Sequence, residues 1–165
     1  MPIALQIATV DDVADLVSLR SAVNERLEAQ HGRGYWTPGL TDKGVLFAMR
    51  NSSVYVGRIQ NKLVATLTLA RTKPWSIDKS YYSPSKQPLY LTAMAVDPSV
   101  QRTGVGRHCL AEATRIARAW PSDAIRLDAY DADAGAGEFY RKCGYCEVGR
   151  SSYRSTPLIY FEMLL

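Results

Sequence analysis

The stretch Leu89–Gly106 constrains the fold of this chain most, because it places an apolar strand, a glycine-rich turn and a helix start in direct succession. The apolar run Leu89–Val96 stops at Asp97-Pro98, and Gln101-Arg-Thr-Gly-Val-Gly106 follows it closely. Glycines let a backbone approach a ligand, and the free N–H groups of a helix's first turn point at an anion with the positive end of the dipole behind them. The sequence therefore predicts that this turn binds a phosphate-bearing molecule.

The size and charge of the chain favour one compact domain that binds a small anionic ligand. The chain has 165 residues, of which 47% are hydrophobic, which suits a single domain over residues 1–165. The net charge is +4 and the basic residues are scattered, so the dense basic stripe typical of nucleic-acid binding is missing. No apolar run is long enough to span a membrane, and the first residues lack the pattern of a signal peptide. We therefore expect a cytoplasmic protein with neither a nucleic-acid nor a membrane partner.

The three cysteines, Cys109, Cys143 and Cys146, do not predict a redox or metal site. Cys143-Gly-Tyr-Cys146 matches C-x-x-C, but a reactive thiol belongs at a helix N-terminus, and this pair follows a predicted helix. A zinc site needs four ligands, and no second pair of cysteines is present. We interpret these residues as small, semi-buried thiols and expect no metal.

The periodicity of apolar residues predicts an alternation of strands and helices. A Thr9/Asp12 capping pattern precedes a first helix, and Thr41 can cap a second one. Further helices are predicted over 105–120 and 132–142, and strands over 3–7, 53–59, 63–69, 89–96, 125–130, 146–150 and 158–164. This order predicts an α/β sandwich with a partly antiparallel sheet.

Two signatures in this order resemble those of the GNAT N-acetyltransferases. Gln101–Gly106 is similar to the family's acetyl-CoA pyrophosphate loop, and a strand and an amphipathic helix flank it as that loop requires. Phe139-Tyr-Arg-Lys-Cys-Gly-Tyr145 is similar to the family's second signature. A P-loop would need Lys-Ser/Thr after its last glycine, and a dinucleotide fold would place its glycines after the first strand. The resemblance covers essentially the whole chain and implies an α/β (α+β) GNAT-like fold, a mixed, partly antiparallel sheet flanked by helices in the order β-α-α-β-β-β-α-β-α-β-β.

The resemblance also implies acetyl-CoA as co-substrate and a set of residues that bind it. Backbone N–H groups of the loop would bind the pyrophosphate, and the strand would bond the pantetheine arm and polarise the thioester carbonyl. The family often has Asn where this chain has Asp133, and an ionised Asp cannot donate a hydrogen bond to that arm. The implied cofactor-binding residues are Met94, Ala95, Val96, Gln101, Arg102, Thr103, Gly104, Val105, Gly106, Arg107, Asp133, Ala136 and Tyr140.

For catalysis, the resemblance implies Tyr140 as the general acid that protonates the departing thiolate. The central strand contains no Glu or His that could act as the base. Glu25 and Glu28, late in the first helix, are the candidates to take a proton from the amine through water, and Asp128 on the next strand is a further candidate. The default interpretation of each of these carboxylates is an ordinary surface or structural group, since Asp and Glu are mostly exposed in proteins.

The predicted activity is transfer of an acetyl group to a primary amine of a small molecule or peptide by direct attack through a tetrahedral intermediate. The alternative is a non-catalytic acyl-CoA-binding sensor or subunit, which the missing strand base favours and Tyr140 opposes. The acceptor is not defined by the sequence, although the loops over 28–40 and 73–88 are rich in aromatic residues. The predicted acceptor-binding residues are Tyr35, Trp36, Tyr82 and Thr92. Many members of the family dimerise, so the resemblance also allows a homodimer.

Overall fold

The computed structural model describes residues 3–34, 36 and 39–165. Its helices and strands follow one another in the predicted order. The strands are β1 (Leu5–Ile7), β2 (Ser53–Ile59), β3 (Lys62–Ala70), β4 (Pro88–Val96), β5 (Ala124–Tyr130), β6 (Cys146–Tyr153) and β7 (Thr156–Leu164). The helices are α1 (Val13–His31), α2 (Asp42–Asn51), α3 (Val105–Ala119) and α4 (Gly137–Lys142).

The strands form one mixed sheet in the order β1-β2-β3-β4-β5-β7-β6. The β1–β2, β2–β3, β5–β7 and β6–β7 pairs are antiparallel, and β4 pairs with β5 in parallel. The parallel register joins Pro88, Leu89 and Tyr90 to Ala124, Ile125 and Arg126. This is the predicted fold, and the partly antiparallel sheet follows from the hairpins at β2–β3 and β6–β7.

The chain forms two compact units, one made of Met1–Leu69 and Ala93–Ala113, the other of Ala70–Thr92 and Thr114–Leu165. In the first unit, Leu16 and Leu19 of α1 and Val45 of α2 pack with Val54 and Val56 of β2. In the second unit, a smaller buried cluster contains Ile77, Tyr82, Tyr90, Leu158 and Tyr160. Burial of each large apolar side chain contributes about 1.5–3 kcal/mol to stability.

Local signals fixed the helix starts and one of the hairpins. The Thr9 N–H donates to the Asp12 carboxylate at 2.8 Å just before α1, and the Thr41 hydroxyl accepts from the Gly44 N–H at 3.1 Å at the start of α2. Between β2 and β3, Gln60 and Asn61 have φ angles of 48° and 69°, as a two-residue hairpin turn requires. The capping predictions at Thr9 and Thr41 are confirmed.

The helix predicted over 132–142 was wrong in its first half, because α4 begins only at Gly137. Residues before it form a tight turn in which a Cβ on Gly135 would lie 1.8 Å from the Tyr130 carbonyl oxygen. The alanines of this segment favour a helix, but the close approach of the backbone to Tyr130 requires a turn with glycine. The last hairpin is longer than predicted, since Arg154 and Ser155 turn at φ angles of 48° and 67° without the usual Asn-Gly signal.

Candidate active site

Asp97 organises the junction between β4 and the glycine-rich loop. Its carboxylate accepts hydrogen bonds from the Ser99 N–H at 2.8 Å and the Ser99 hydroxyl at 2.7 Å. The Lys62 ammonium lies 3.0 Å from the same carboxylate. The bonds from Ser99, with a smaller contribution from Lys62, lower the pKa of Asp97. The carboxylate therefore stays ionised at neutral pH and fixes the direction in which the chain leaves the strand.

The side chains of the loop fold back onto its own backbone. The Gln101 amide nitrogen donates to the Val96 carbonyl at 2.9 Å, and the Thr103 hydroxyl donates to the Val100 carbonyl at 2.6 Å. Arg102 and Gly104 have φ angles of 63° and 95°, in the left-handed region. This conformation reverses the chain within a few residues, so that α3 begins directly at Val105.

The main-chain N–H groups from Gln101 to Gly106 are open to a ligand. None of these six groups donates a hydrogen bond within the described part of the chain. The Gly104 carbonyl, in contrast, accepts from the His108 N–H at 3.0 Å and so joins the first turn of α3. A Cβ on Gly104 would meet nothing within 4 Å, so space for a bound group adjoins the loop. Free donors, open space and the positive end of a 15-residue helix are the components of an anion site.

Strand β4 carries a backbone irregularity just before the residues predicted to bind pantetheine. Ala93 has a φ of 52°, and its carbonyl accepts a hydrogen bond from the Arg20 guanidinium at 3.1 Å. Of the residues that follow, Ala95 is buried in the core of the first unit, whereas Met94 and Val96 are half-buried. A non-glycine residue in this region stores about 1–3 kcal/mol of strain, which is typical of functional sites.

Tyr140 is buried in the second unit among other aromatic rings. Its side chain is 7% exposed, and its ring centroid lies 5.3 Å from Phe139, 5.8 Å from Tyr145 and 5.9 Å from Phe161. Burial, with Tyr140 as the second cause, raises the pKa of Tyr145 well above its ordinary value. The apolar surroundings that Tyr145 shares with Tyr140 disfavour the phenolate of Tyr145.

Asp133 and Ala136 lie in the turn between β5 and α4, and both are exposed. Asp133 lines a cavity of about 370 Å³ that also contains Asp131, Arg141 and Arg150. Arg150 pairs with Asp131 at 3.3 Å. The tight approach at Gly135 thus presents the Asp133 carboxylate at the surface of the second unit.

The residues predicted on the acceptor side have different surroundings. Glu25 and Glu28 are exposed on α1, and neither side chain accepts a hydrogen bond from the described residues. Trp36 is half-buried, and its carbonyl accepts from the Asn24 amide nitrogen at 2.9 Å. Tyr35 lies outside the described residues, so the prediction made for it stays a prediction.

Tyr82 and Thr92 belong to the second unit. Tyr82 is buried, its hydroxyl donates to the Leu127 carbonyl at 2.7 Å, and the Arg126 guanidinium lies 5.1 Å from its ring centroid. Burial, and next the charge of Asp128, raise the pKa of Tyr82 far above its ordinary value. Thr92 is half-buried in β4. Tyr82 therefore anchors the loop between β3 and β4 to the sheet, and its predicted contact with an acceptor stays a prediction.

The sequence did not reveal the partner of Asp128. The Ser76 hydroxyl donates to the Asp128 carboxylate at 2.5 Å, across 52 positions of sequence. Burial raises the pKa of Asp128 although this bond lowers it. The sequence contains only an indirect indication of this contact. Asp128 is two positions from Arg126 and so lies on the same face of its strand, and the segment over 73–88 contains several serines.

Comparisons with known proteins agree with the fold. Residues 18–145 match the model of the acetyltransferase (GNAT) family. This chain belongs to the GNAT family. It is therefore an acetyltransferase, and the family implies an amine acceptor and typically uses acetyl-CoA.

Solved GNAT structures have the same fold over nearly their whole length. An acetyltransferase from Streptococcus agalactiae matches with a TM-score of 0.79 at 12% identity, over 99% of this chain and 95% of that one. A GNAT protein from Rhodopseudomonas palustris matches at 0.73 and 17% identity, over 100% and 97%. The ribosomal-protein-S18-alanine N-acetyltransferase from Escherichia coli matches at 0.70 and 13% identity, over 98% and 93%. No curated protein sequence matches this chain.

Membrane spans and metal sites can be considered for the described residues. None of their helices is both long and apolar enough to cross a membrane. Within the same residues, no group of three or more His, Cys, Asp or Glu side chains has the arrangement of a metal site. Cys109 is buried, and burial raises the pKa of its thiol to about 11, which makes this cysteine a poor nucleophile at neutral pH.

Proposed function

We propose that this GNAT member transfers an acetyl group from acetyl-CoA to a primary amine of a small molecule or peptide by direct attack, without a covalent acyl-enzyme. The observation that supports it most is the row of N–H groups from Gln101 to Gly106, none of which donates within the described chain. Acetyl-CoA supplies an activated acetyl thioester and a diphosphate that fits such a row.

We assign the binding of the diphosphate to the main chain of Gln101, Arg102, Thr103, Gly104, Val105 and Gly106. The exposed guanidinium of Arg102 and the side chain of Arg107 add positive charge. Met94, Ala95 and Val96 follow the irregularity at Ala93 and offer main-chain groups to the pantetheine arm and to the carbonyl oxygen. Asp133 and Ala136 are proposed for the same arm, with Asp133 acting only as an acceptor because its carboxylate cannot donate.

We assign the general acid to Tyr140. Its buried hydroxyl group would donate a proton to the leaving thiolate. Glu25 and Glu28 are candidates to take the proton of the amine through water, and Asp128 on β5 is a further candidate. Tyr35, Trp36, Tyr82 and Thr92 are proposed to surround the acceptor.

The test is release of free thiol from acetyl-CoA in the presence of a broad panel of amines. The panel should include peptide N-termini, since one structural neighbour is a ribosomal-protein-S18-alanine N-acetyltransferase. We expect thiol release to depend on one class of amine and to yield the N-acetylated product. Tight binding of acetyl-CoA without turnover of any amine would instead support an acyl-CoA sensor. Failure to bind CoA at all would overturn the assignment of the loop.

A further inference from the structure

Asp128 lies where the loop between β3 and β4, residues 71–87, is anchored to the second unit. Its carboxylate accepts the Ser76 hydroxyl at 2.5 Å. The Tyr160 hydroxyl donates to the Ser76 carbonyl at 2.7 Å and accepts from the Asp78 N–H at 3.3 Å. Serine and tyrosine thus hold the loop over this part of the sheet, while Asp128 itself stays partly exposed.

The side chains of Asp128, on β5, and Tyr140, on α4, lie on opposite faces of the β5–β7 pair. In the β5–β7 register, Leu127 pairs with Phe161 and Asp128 pairs with Tyr160. Successive side chains of a strand point to opposite faces of the sheet. The Tyr140 ring packs at 5.9 Å from Phe161, on the Leu127 face, so Asp128 points to the other face one position along.

Direct acyl transfer to an amine needs two proton transfers, one from the attacking nitrogen and one to the departing sulfur. Tyr140 is proposed to supply the proton to the sulfur. Asp128, on the other face of β5, is a separate carboxylate that Ser76 holds in place. Glu25 and Glu28 have no comparable fixed geometry, since their exposed side chains lack partners among the described residues.

We propose that Asp128 is the general base of the reaction, an inference that rests on the proposed function. The proton moves from the nitrogen of the acceptor R–NH₃⁺ to a carboxylate oxygen of Asp128, which leaves R–NH₂ with a free electron pair and a carboxylic acid at Asp128. Because Asp128 is only partly buried, the proton then passes to solvent water.

The surroundings of Asp128 support a carboxyl group that takes up a proton more readily than an exposed one. Burial raises its pKa above the ordinary 3.8, and the hydrogen bond from Ser76 opposes this shift. The titratable groups on the elements around it are Tyr90 on β4, Arg126 on β5, Tyr160 on β7, and Lys73, Asp78 and Tyr82 on the loop. Since Asp128 must be ionised to act, the rate is lost as the pH falls through its pKa.

The test compares pH profiles of kcat/KM for an amine that the wild type acetylates. Asp128→Asn should lower kcat/KM by roughly 10²-fold or more and abolish the acidic limb that belongs to Asp128. Ser76→Ala should shift that limb to higher pH, because it removes the bond that lowers the pKa, while the rate at high pH is retained. Asp128→Glu should restore part of the rate, since it restores a carboxylate.

Asp123→Asn is the matched control. Asp123 also holds the same loop, through the Ser85 hydroxyl and the Lys86 and Gln87 N–H groups, but it is exposed and precedes β5. If Asp128 only anchors the loop, both variants should reduce the rate alike and leave the pH profile in place, which would overturn the proposal. Loss of the acidic limb in a Glu25→Gln/Glu28→Gln variant would overturn it as well.

A second measurement does not depend on turnover. Carboxyl ¹³C NMR of the free protein, with Asp128→Asn for assignment, should show Asp128 titrating above the exposed aspartates and moving higher in Ser76→Ala. An Asp128 signal that titrates with the exposed aspartates would contradict the proposal. A wild type that binds acetyl-CoA but acetylates no amine would overturn the proposed function itself, whatever the NMR shows.

Discussion

At the scale of single residues, Tyr140 and Gly104 have the most distinctive surroundings in the candidate site. Tyr140 is buried among rings that fix its orientation, and Gly104 has a φ of 95° beside open space. The proposed function gives Tyr140 the role of proton donor and gives Gly104 a place in the loop that binds the diphosphate. Substitutions that keep the volume of the side chain and remove only its chemistry are therefore the informative ones.

Tyr140→Phe should lower kcat by about 10²-fold and leave the affinity for CoA nearly unchanged, because it removes only a proton donor. Steady-state kinetics and calorimetric titration with CoA measure the two effects. Tyr55→Phe is the control, since Tyr55 is also 7% exposed and lies on β2. Wild-type turnover by Tyr140→Phe would remove this phenol from the mechanism.

Gly104→Ala should weaken CoA binding by about tenfold, because a Cβ in the left-handed region costs about 1–2 kcal/mol and shifts the loop away from its binding conformation. Gly32→Ala is the matched control. Gly32 has a φ of 76°, and a Cβ at this position would also meet nothing within 4 Å. Gly32 lies at the end of α1, outside the glycine-rich loop. Both variants should unfold at lower denaturant concentration, but only Gly104→Ala should lose affinity. Equal affinities would show that the loop conformation does not matter for CoA.

At the scale of elements, the loops between helices and strands have the most specific conformations. The chain reaches α3 through a loop with two left-handed residues, and it reaches α4 through a turn that presses Gly135 against the Tyr130 carbonyl. The loop between β3 and β4 is fastened to β5 and β7 by Ser76, Tyr82 and Ser83, whose hydroxyls all form hydrogen bonds there. This loop is therefore a fixed cover of the sheet in the second unit.

Gly135→Ala should destabilise the protein by more than about 3 kcal/mol, because the backbone cannot yield to a contact of 1.8 Å without opening the turn. Gly44→Ala is the comparison within an element: its Cβ would meet Leu40 and Thr41 at 3.4 Å, and it lies inside α2. There alanine should stabilise the protein by roughly 0.5–1 kcal/mol. Urea denaturation measures both, and an unchanged midpoint for Gly135→Ala would show that the turn is not tight in solution.

For the whole molecule, binding of CoA should add to the stability of the fold. A ligand at a hundred times its dissociation constant stabilises the native state by about 2.7 kcal/mol, which for a chain of this size raises Tm by several degrees. Thermal unfolding with increasing CoA tests this, with adenosine as the control that lacks the diphosphate. If adenosine raised Tm as much as CoA does, the N–H groups of the loop would not be the main anchor.

Much of the candidate site could be predicted from the sequence because it is local. The glycine-rich turn, its helix and the capping residues Thr9 and Thr41 depend on neighbours within a few positions, so their patterns identify them directly. The succession of helices and strands along the chain followed from the periodicity of apolar residues, which is also a local property. The early start predicted for α4 failed because a contact with Tyr130 outweighed the helix propensity of the alanines.

The amino-acid sequence by itself determined the glycine-rich turn and the helix start behind it, since free N–H groups at the start of a helix are a property of the local backbone. Only the tertiary structure decided the surroundings of Asp128, whose carboxylate accepts a hydrogen bond from Ser76 across 52 positions of sequence. It also decided that Tyr82 packs against the sheet with its hydroxyl on Leu127. Burial and long-range hydrogen bonds set the basicity of a carboxyl group, and neither leaves a periodic signal along the chain.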